Sequence, residues 1–321
     1  MLSNEMSYKG ENVPSLSVVI ASYCSRRTIQ ACLRSLENQT RPPSEIILVD
    51  SGSDGTAELV VGEFPHVRLF SFSERKYPGD ARNIALQHAT GDVIAFLDAD
   101  CVADPNWAEE ILLAHQNTDA LIGGAVDNAN PESLVGWAAY FCEFSQWMPG
   151  TKPRYMIEVP TNCLSIKRWA FEKYGPFLEG TYCSDSAFNW RAGADGQRPW
   201  FQPAIRVLHH NLANLGRFLA KQVMHGRAFA TVRIQEQNLA PRRTAILWLG
   251  SPLLPLLLFS RLFVRVLKNR AYVSRFIQVS PIVSLGLTAW SWGECQGYRK
   301  GQKNLYQKTG APESLRRSAW Q

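Results

Sequence analysis

Two acids one residue apart, Asp98 and Asp100, close the apolar run Val93–Leu97 in "GDVIAFLDADCVADPNW". A carboxylate is costly to leave unpaired in an interior. A buried run ending on two of them must either cap a loop or hold something positive. Carboxylate oxygens at this spacing suit Mg2+ or Mn2+, hard cations that keep waters and substrate phosphates among their ligands. Asp50 ends a second apolar run, "EIILVD", ahead of the turn-rich "SGSDGT". An Asx-turn is its plain structural use there. Asp185 precedes "SAFNWR", where it would cap a helix well.

The stretches carrying these residues alternate strand and helix from Pro14 to about residue 126. "SLSVVIASY", "EIILVD", "VRLFSF", "DVIAFLD" and "DALIGGAV" read as strands. "TIQACLRSLENQ" places Ile29, Leu33 and Leu36 on one face at helical spacing. "GDARNIALQHATG" reads as a helix closed by Gly91, and "PNWAEEILLAHQ" as one with Pro105 near its start. Alternation with near-continuous apolar strands predicts an α/β domain, its parallel sheet covered by helices on both faces. Such sheets bind ligands outside the carboxyl ends of their strands. Those ends carry Ala21, Ser22 and Tyr23, then Asp50, then Asp98 and Asp100. Residues 127–215, rich in aromatics such as Trp137, Tyr140 and Trp147, read as mixed α and β completing the same domain.

The blocks "SVVIASY", "EIILVDSGSDGT", "GDARNIALQHATGDVIAFLDADC", "PTNCLSIKRWAFEKYGPF" and "SDSAFNWRAGADG", in this order and spacing over residues 16 to about 210, resemble family 2 glycosyltransferases of the GT-A fold. The final third resembles only the membrane-associated members. The resemblance implies an inverting enzyme that moves one sugar from a nucleotide-sugar to a hydroxyl acceptor, such as a membrane-linked or cell-surface glycan precursor. It implies that Asp50 contacts the base or ribose, with Ala21, Ser22, Tyr23 and Arg82 lining the same pocket. Arg82 could equally be an exposed helix residue. Asp98 would lie near the ribose and the metal, with Ala99 in the same nucleotide-sugar pocket, and Asp100 would ligate the Mn2+ or Mg2+ that bridges the diphosphate. His209, ahead of His210, would reach the metal or diphosphate; a structural histidine is the alternative. Thr161 and Asn162 match the acceptor-side segment, and a turn at a domain seam would account for them equally.

Asp185 matches the general base. Family members usually carry Glu-Asp here, whereas this chain has Ser184-Asp185, a departure that alters how the base is tuned. His225, Gly226 and Arg227 fit a basic membrane-facing surface better than a phosphate site. The Q-x-x-R-W of processive synthases is absent between residues 190 and 240, which implies single additions. Two other classes compete. A nucleotidyltransferase would show a Gly-rich phosphate loop after the first strand, and "ASYCSRRT" has no glycine. A non-catalytic glycosyltransferase-like binding module is kept open by Ser184.

Charge divides the chain. Residues 1–210 hold 17 Lys and Arg against 25 acids, a net of −8; residues 211–321 hold 17 against 3, a net of +14. The composition turns apolar after residue 240, which divides the chain into a domain over 14–240, GT-A by the resemblance, and a basic, apolar, membrane-associated region over 241–321. Seven scattered cysteines without a C-x-x-C pair argue against a disulfide framework or zinc site. The polar opening "MLSNEMSYKGENV" has no apolar core of a signal peptide. "TAILWLGSPLLPLLLFSRLFV" is about the length of a membrane span but contains Pro252, Pro255 and Arg261. "FIQVSPIVSLGLTAWSWG" is weaker and contains Pro281. The connector "RVLKNRAYVSR" carries four positive charges and no acid, and such short loops prefer the cytoplasmic side. Arg242, Arg243, Arg299, Lys300 and Lys303 flank the pair. Residues 244–293 are therefore expected as re-entrant or interfacial helices on the cytoplasmic leaflet, drawn to anionic lipid. Spanning helices are the alternative. Basic residues interleaved with apolar runs make nucleic acid the poorer partner.

Overall fold

The computed structural model describes residues 14–300. The polar opening, Lys303 and the remainder of the basic end lie outside the described residues. The first half runs β1 (Leu16–Ser22), α1 (Ile29–Glu37), β2 (Glu45–Asp50), α2 (Thr56–Glu63), β3 (Arg68–Ser71), α3 (Pro78–Leu86), β4 (Val93–Asp98), β5 (Cys101–Ala103), α4 (Trp107–Ala114) and β6 (Leu121–Asn128). Then come α5 (Leu134–Phe144), β7 (Arg154–Tyr155), β8 (Leu164–Lys167), α6 (Arg168–Tyr174), α7 (Ser184–Ala194) and β9 (Trp200–His209). Four helices close the described chain: α8 (Leu215–Glu236), α9 (Pro241–Gly250), α10 (Leu254–Leu267) and α11 (Arg270–Lys300).

One nine-stranded sheet has the order β3-β2-β1-β4-β8-β6-β9-β5, with β7 paired to β9. β3, β2, β1 and β4 are mutually parallel, and β8 enters antiparallel between β4 and β6. Val18–Ile20, Ile46–Val49 and Val93–Leu97 are buried without alternation, as expected where helices cover both faces. Register then fixes the site. Ser22 pairs with Asp50, and Ala21 with Asp98. The polar ends of three strands therefore finish level at one edge.

Two local expectations change. α3 ends at Leu86, five residues short of Gly91. Gly91 instead lies against β1, its amide donating to Ser17 Oγ at 2.8 Å. A Cβ there would come within 2.6 Å of the Ser17 amide nitrogen, so close approach, not capping, is its role. The second change is β5, which starts immediately after the two acids and runs antiparallel to β9 with Cys101 opposite His209. Three residues are too few for a strand period to show in sequence.

The helices after β9 build onto the domain. α11 lies parallel to α8 at glycine distance: a Cβ on Gly226 would meet the Trp290 carbonyl at 2.2 Å, and one on Gly293 the Val223 carbonyl at 2.2 Å. Backbone cannot yield as a side chain can. Gly293→Leu is expected to destabilise the chain by about 1–3 kcal/mol or more through overpacking. Gly193→Ala, where a Cβ meets nothing within 4 Å, serves as the control. Equal Tm values for the two variants would contradict this packing.

The second apolar stretch lies inside α11. Phe276, Val279, Val283 and Leu287 are buried, with Phe276 edge-on to Phe141 of α5. That face meets protein where lipid was expected. Residues 241–267 differ: they are long and apolar enough to cross a membrane, and only 11% of their most apolar window is buried. Yet both ends are fastened. Leu247 packs on Ala230, Ile234, Leu239 and Tyr298. At the far end Arg265 donates to Ser145 Oγ at 2.8 Å, and Asn269 Nδ2 to the Pro149 carbonyl at 2.7 Å.

Candidate active site

At the level edge, Ser22 Oγ donates to Asp50 Oδ1 at 2.6 Å. Asp50 is buried, and its Oδ2 has no protein partner. Burial pushes its pKa up, against the Ser22 hydroxyl and Gly52 amide that favour the anion. Arg82, on α3, donates to Asp98 Oδ1 at 2.9 Å. Its side chain is only 6% exposed, against 34% for Asp98, so Arg82 is not a surface helix residue. Tyr23 is exposed, with the Arg75 guanidinium 4.4 Å from its ring centre. Arg75 also donates to the Tyr182 hydroxyl at 2.5 Å. Nothing in "SERKYPG" marks Arg75 for this place. Ala99 is buried between the two acids.

Beyond Asp98 the chain turns into β5, and the β5–β9 pairing brings His209 to Asp100, Nε2 to Oδ1 at 3.4 Å. Asp100, Cys101 and His209 place their ligand atoms within 4.8 Å of one another. Asn211 Nδ2 donates to Asn128 Oδ1 at 2.8 Å, which turns its own Oδ1 to His209 Nδ1 at 3.0 Å. Nδ1 therefore carries a hydrogen, and Nε2 is the ring nitrogen that faces Asp100. Cys101 is a poorer ligand. Burial and the nearby acids push its thiol well up, and the thiolate is the form that ligates. The Asp100 carboxylate suits Mn2+ or Mg2+, with His209 Nε2 as the second available ligand atom. His210 contributes only its amide, to the Asp100 carbonyl at 2.9 Å. The two asparagines carried no readable signal, since their register depends on β6 and β9.

Asp185 sits in the first turn of α7, whose N-cap is Cys183 and not Asp185. Asp185 Oδ1 accepts the Ser186 amide at 3.0 Å, and the Thr161 amide also points to this carboxylate. Burial raises its pKa, Arg82 opposes that rise, and Asp98 adds to it. Arg82 thus acts on the carboxylates of both β4 and α7. Thr161 and Asn162 lie on a short 3-10 turn ahead of β8, both buried. Neither polar atom of the Asn162 side chain has a partner. Asn189 draws this segment to α7: its Nδ2 donates to the Asp185 carbonyl at 2.8 Å and the Val159 carbonyl at 3.0 Å. On α8, Gly226 and Arg227 face α11, Arg227 donating to Gln296. His225 lies beside the Tyr182 ring.

This sheet, with acids level at one edge and a D-x-D turn paired to a histidine, has a GT-A-like architecture. The mannosyltransferase PcManGT from Pyrobaculum calidifontis, solved with GDP-Man and Mn2+, shares the fold at a TM-score of 0.57 and 16% identity, over 89% of this chain and 88% of its own. Residues 17–170 match the model described as "Glycosyl transferase family 2". Glycosyltransferase AglE of Haloferax volcanii is 28% identical over 172 residues, 51% of this chain and 56% of AglE. The UDP-Glc:alpha-D-GlcNAc-diphosphoundecaprenol beta-1,3-glucosyltransferase WfgD of Escherichia coli is 32% identical over 124 residues, 38% of this chain and 49% of WfgD. The similarity thus spans about half the length of these two relatives.

Proposed function

We propose that the chain is an inverting, metal-dependent glycosyltransferase that adds single sugars from a nucleotide-sugar to a hydroxyl of a glycan or lipid-linked acceptor. The observation that carries this reading is Arg82, buried between the donor-side Asp98 and the candidate base Asp185. Ser22 holds Asp50 so that its free Oδ2 serves the base or ribose, with Ala21, Tyr23, Arg82, Asp98 and Ala99 around the same pocket. Asp100 and His209 Nε2 would hold the cation, which neutralises charge on the departing nucleoside diphosphate. Thr161 and the unpartnered amide of Asn162 offer donors and acceptors to acceptor hydroxyls. Asp185 takes the acceptor's hydroxyl proton as that oxygen attacks the anomeric carbon opposite the diphosphate. The new C–O bond forms as the bond to the diphosphate oxygen breaks, and the anomeric configuration inverts. PcManGT, with GDP-Man and Mn2+, supports the donor class and the metal. WfgD, whose name specifies a diphosphoundecaprenol acceptor, supports a lipid-linked one. The test is a panel of nucleotide-sugars with and without Mn2+, the product's anomeric configuration being read by NMR. A retained configuration, or no metal dependence, would overturn the corresponding part.

We further propose that residues 241–267 lie in the surface of a membrane on the cytoplasmic face. Because the domain holds this segment at Leu247 and again at Arg265 and Asn269, a straight crossing would tear one end away. Leu253 and Leu256 are 69% and 72% exposed, among arginines with no acid between residues 237 and 293. Such a face binds by apolar burial and attraction to anionic lipid. Leu253→Asp with Leu256→Asp is expected to lower sedimentation with anionic vesicles by about tenfold or more while nucleotide binding persists. Unchanged sedimentation would count against this face.

A further inference from the structure

Glu158 stands in the segment between β7 and the turn that carries Thr161 and Asn162, and the site described above does not use it. Its Oε2 is buried without a hydrogen-bond partner. Its backbone is pinned, the carbonyl accepting Trp147 Nε1 at 3.3 Å. The next residue is clamped to α7: the Val159 amide donates to Asn189 Oδ1 at 3.3 Å, and Asn189 Nδ2 bridges the Val159 and Asp185 carbonyls. One side-chain nitrogen that spans both carbonyls leaves Glu158 lying against the first turn of α7. The Ser186 hydroxyl reaches its carboxyl.

The charged and titratable surroundings are few. Glu158 faces Asp185 of α7 and Arg233 of α8, and Arg233 is already spent on Gln237 at 3.2 Å and the Tyr298 hydroxyl at 3.3 Å. The Cys183 thiol and Glu294 of α11 complete that side. Asp185 faces Arg82 of α3 and Asp98 of β4 on its other side. Two carboxyls held near one another do not ionise independently. Asp185 has two backbone amides and Arg82 to favour its anion. Glu158 has less. Burial first, and the charge on Asp185 next, push it up to about 7.

We propose that Glu158 is a positioning residue for the transfer, a second carboxyl set against Asp185 from another element that governs how strongly Asp185 draws the acceptor's proton. This rests on the transferase reading given above. Below neutrality Glu158 is neutral and adds no field. Above it, Glu158 gives its proton to solvent, and its charge raises the affinity of Asp185 for the acceptor's proton. Turnover should therefore rise with pH through neutrality.

Glu158→Gln keeps the shape and removes the ionisation. It is expected to lower the ratio of kcat at about pH 8 to kcat at about pH 6 by about threefold or more, whereas a purely structural loss would lower both values alike. The second readout needs no turnover. Carbon-13 NMR of the Asp185 carboxyl, assigned with Asp185→Asn, is expected to titrate in two steps in the parent chain and in one step in Glu158→Gln. Glu158→Asp, which keeps a carboxyl, is expected to retain the second step. A one-step Asp185 curve in an active parent chain would overturn the pairing. A two-step curve in a chain without transfer would uphold the pairing and overturn the transferase reading.

Discussion

Asp185→Asn is expected to reduce kcat by a factor on the order of 10² or more while the Kd for the nucleotide-sugar changes by less than about threefold. The amide fills the same space and its oxygen can still accept the Ser186 amide, so α7 should keep its place. What disappears is the site that takes the acceptor's proton. In the parent chain the acid limb of kcat should fall at a higher pH than an ordinary aspartate would give, because burial raises this carboxyl and the base works only when ionised. The variant should lose that limb. Weakened donor binding, with kcat preserved, would show that Asp185 belongs to the donor pocket or to the helix alone.

Asp100→Ala should abolish transfer, and with it the Mn2+-dependent part of UDP or GDP affinity. The acid stands partly exposed on a turn, with His209 3.4 Å away, so its loss should leave the fold standing. His209 would remain with Nε2 aimed at the site, yet a single imidazole is a weak anchor for a hard cation. Calorimetry of nucleotide binding with and without Mn2+ separates the effects. Undiminished Mn2+-dependent binding would mean that Asp100 serves only the turn.

The edge of the sheet was readable because parallel strands buried on both faces must be apolar until they leave the core. Asp50, Asp98 and Asp100 mark those exits by their types alone. Partners that arrive from elsewhere in the chain left no such mark. Asn128 and Asn211 support His209 only through the β6–β9 register, and Arg75 reaches Tyr23 from a loop with no pattern. Glu158 meets Asp185 because Asn189 ties two segments together. The apolar end failed differently. Composition cannot tell lipid from protein as a neighbour, and one face of the second stretch packs on α5 and α8. The stripe Phe276, Val279, Val283 and Leu287 had the spacing of a core face, which hydropathy averaged away.

Fastening residues 241–267 at both ends has a mechanical consequence. A domain hung from one flexible tail would swing through a large volume and meet its substrate by chance collisions in three dimensions. Held by both ends of this segment in a membrane surface, as proposed above, it would keep a fixed height and tilt above the lipid, like a tool bolted to a bench. A lipid-carried acceptor then need only drift in the plane of the membrane to reach it. Turnover would follow the number of acceptors per unit of membrane area, and dilution of the surrounding solution at constant vesicle composition would leave the rate on each vesicle unchanged.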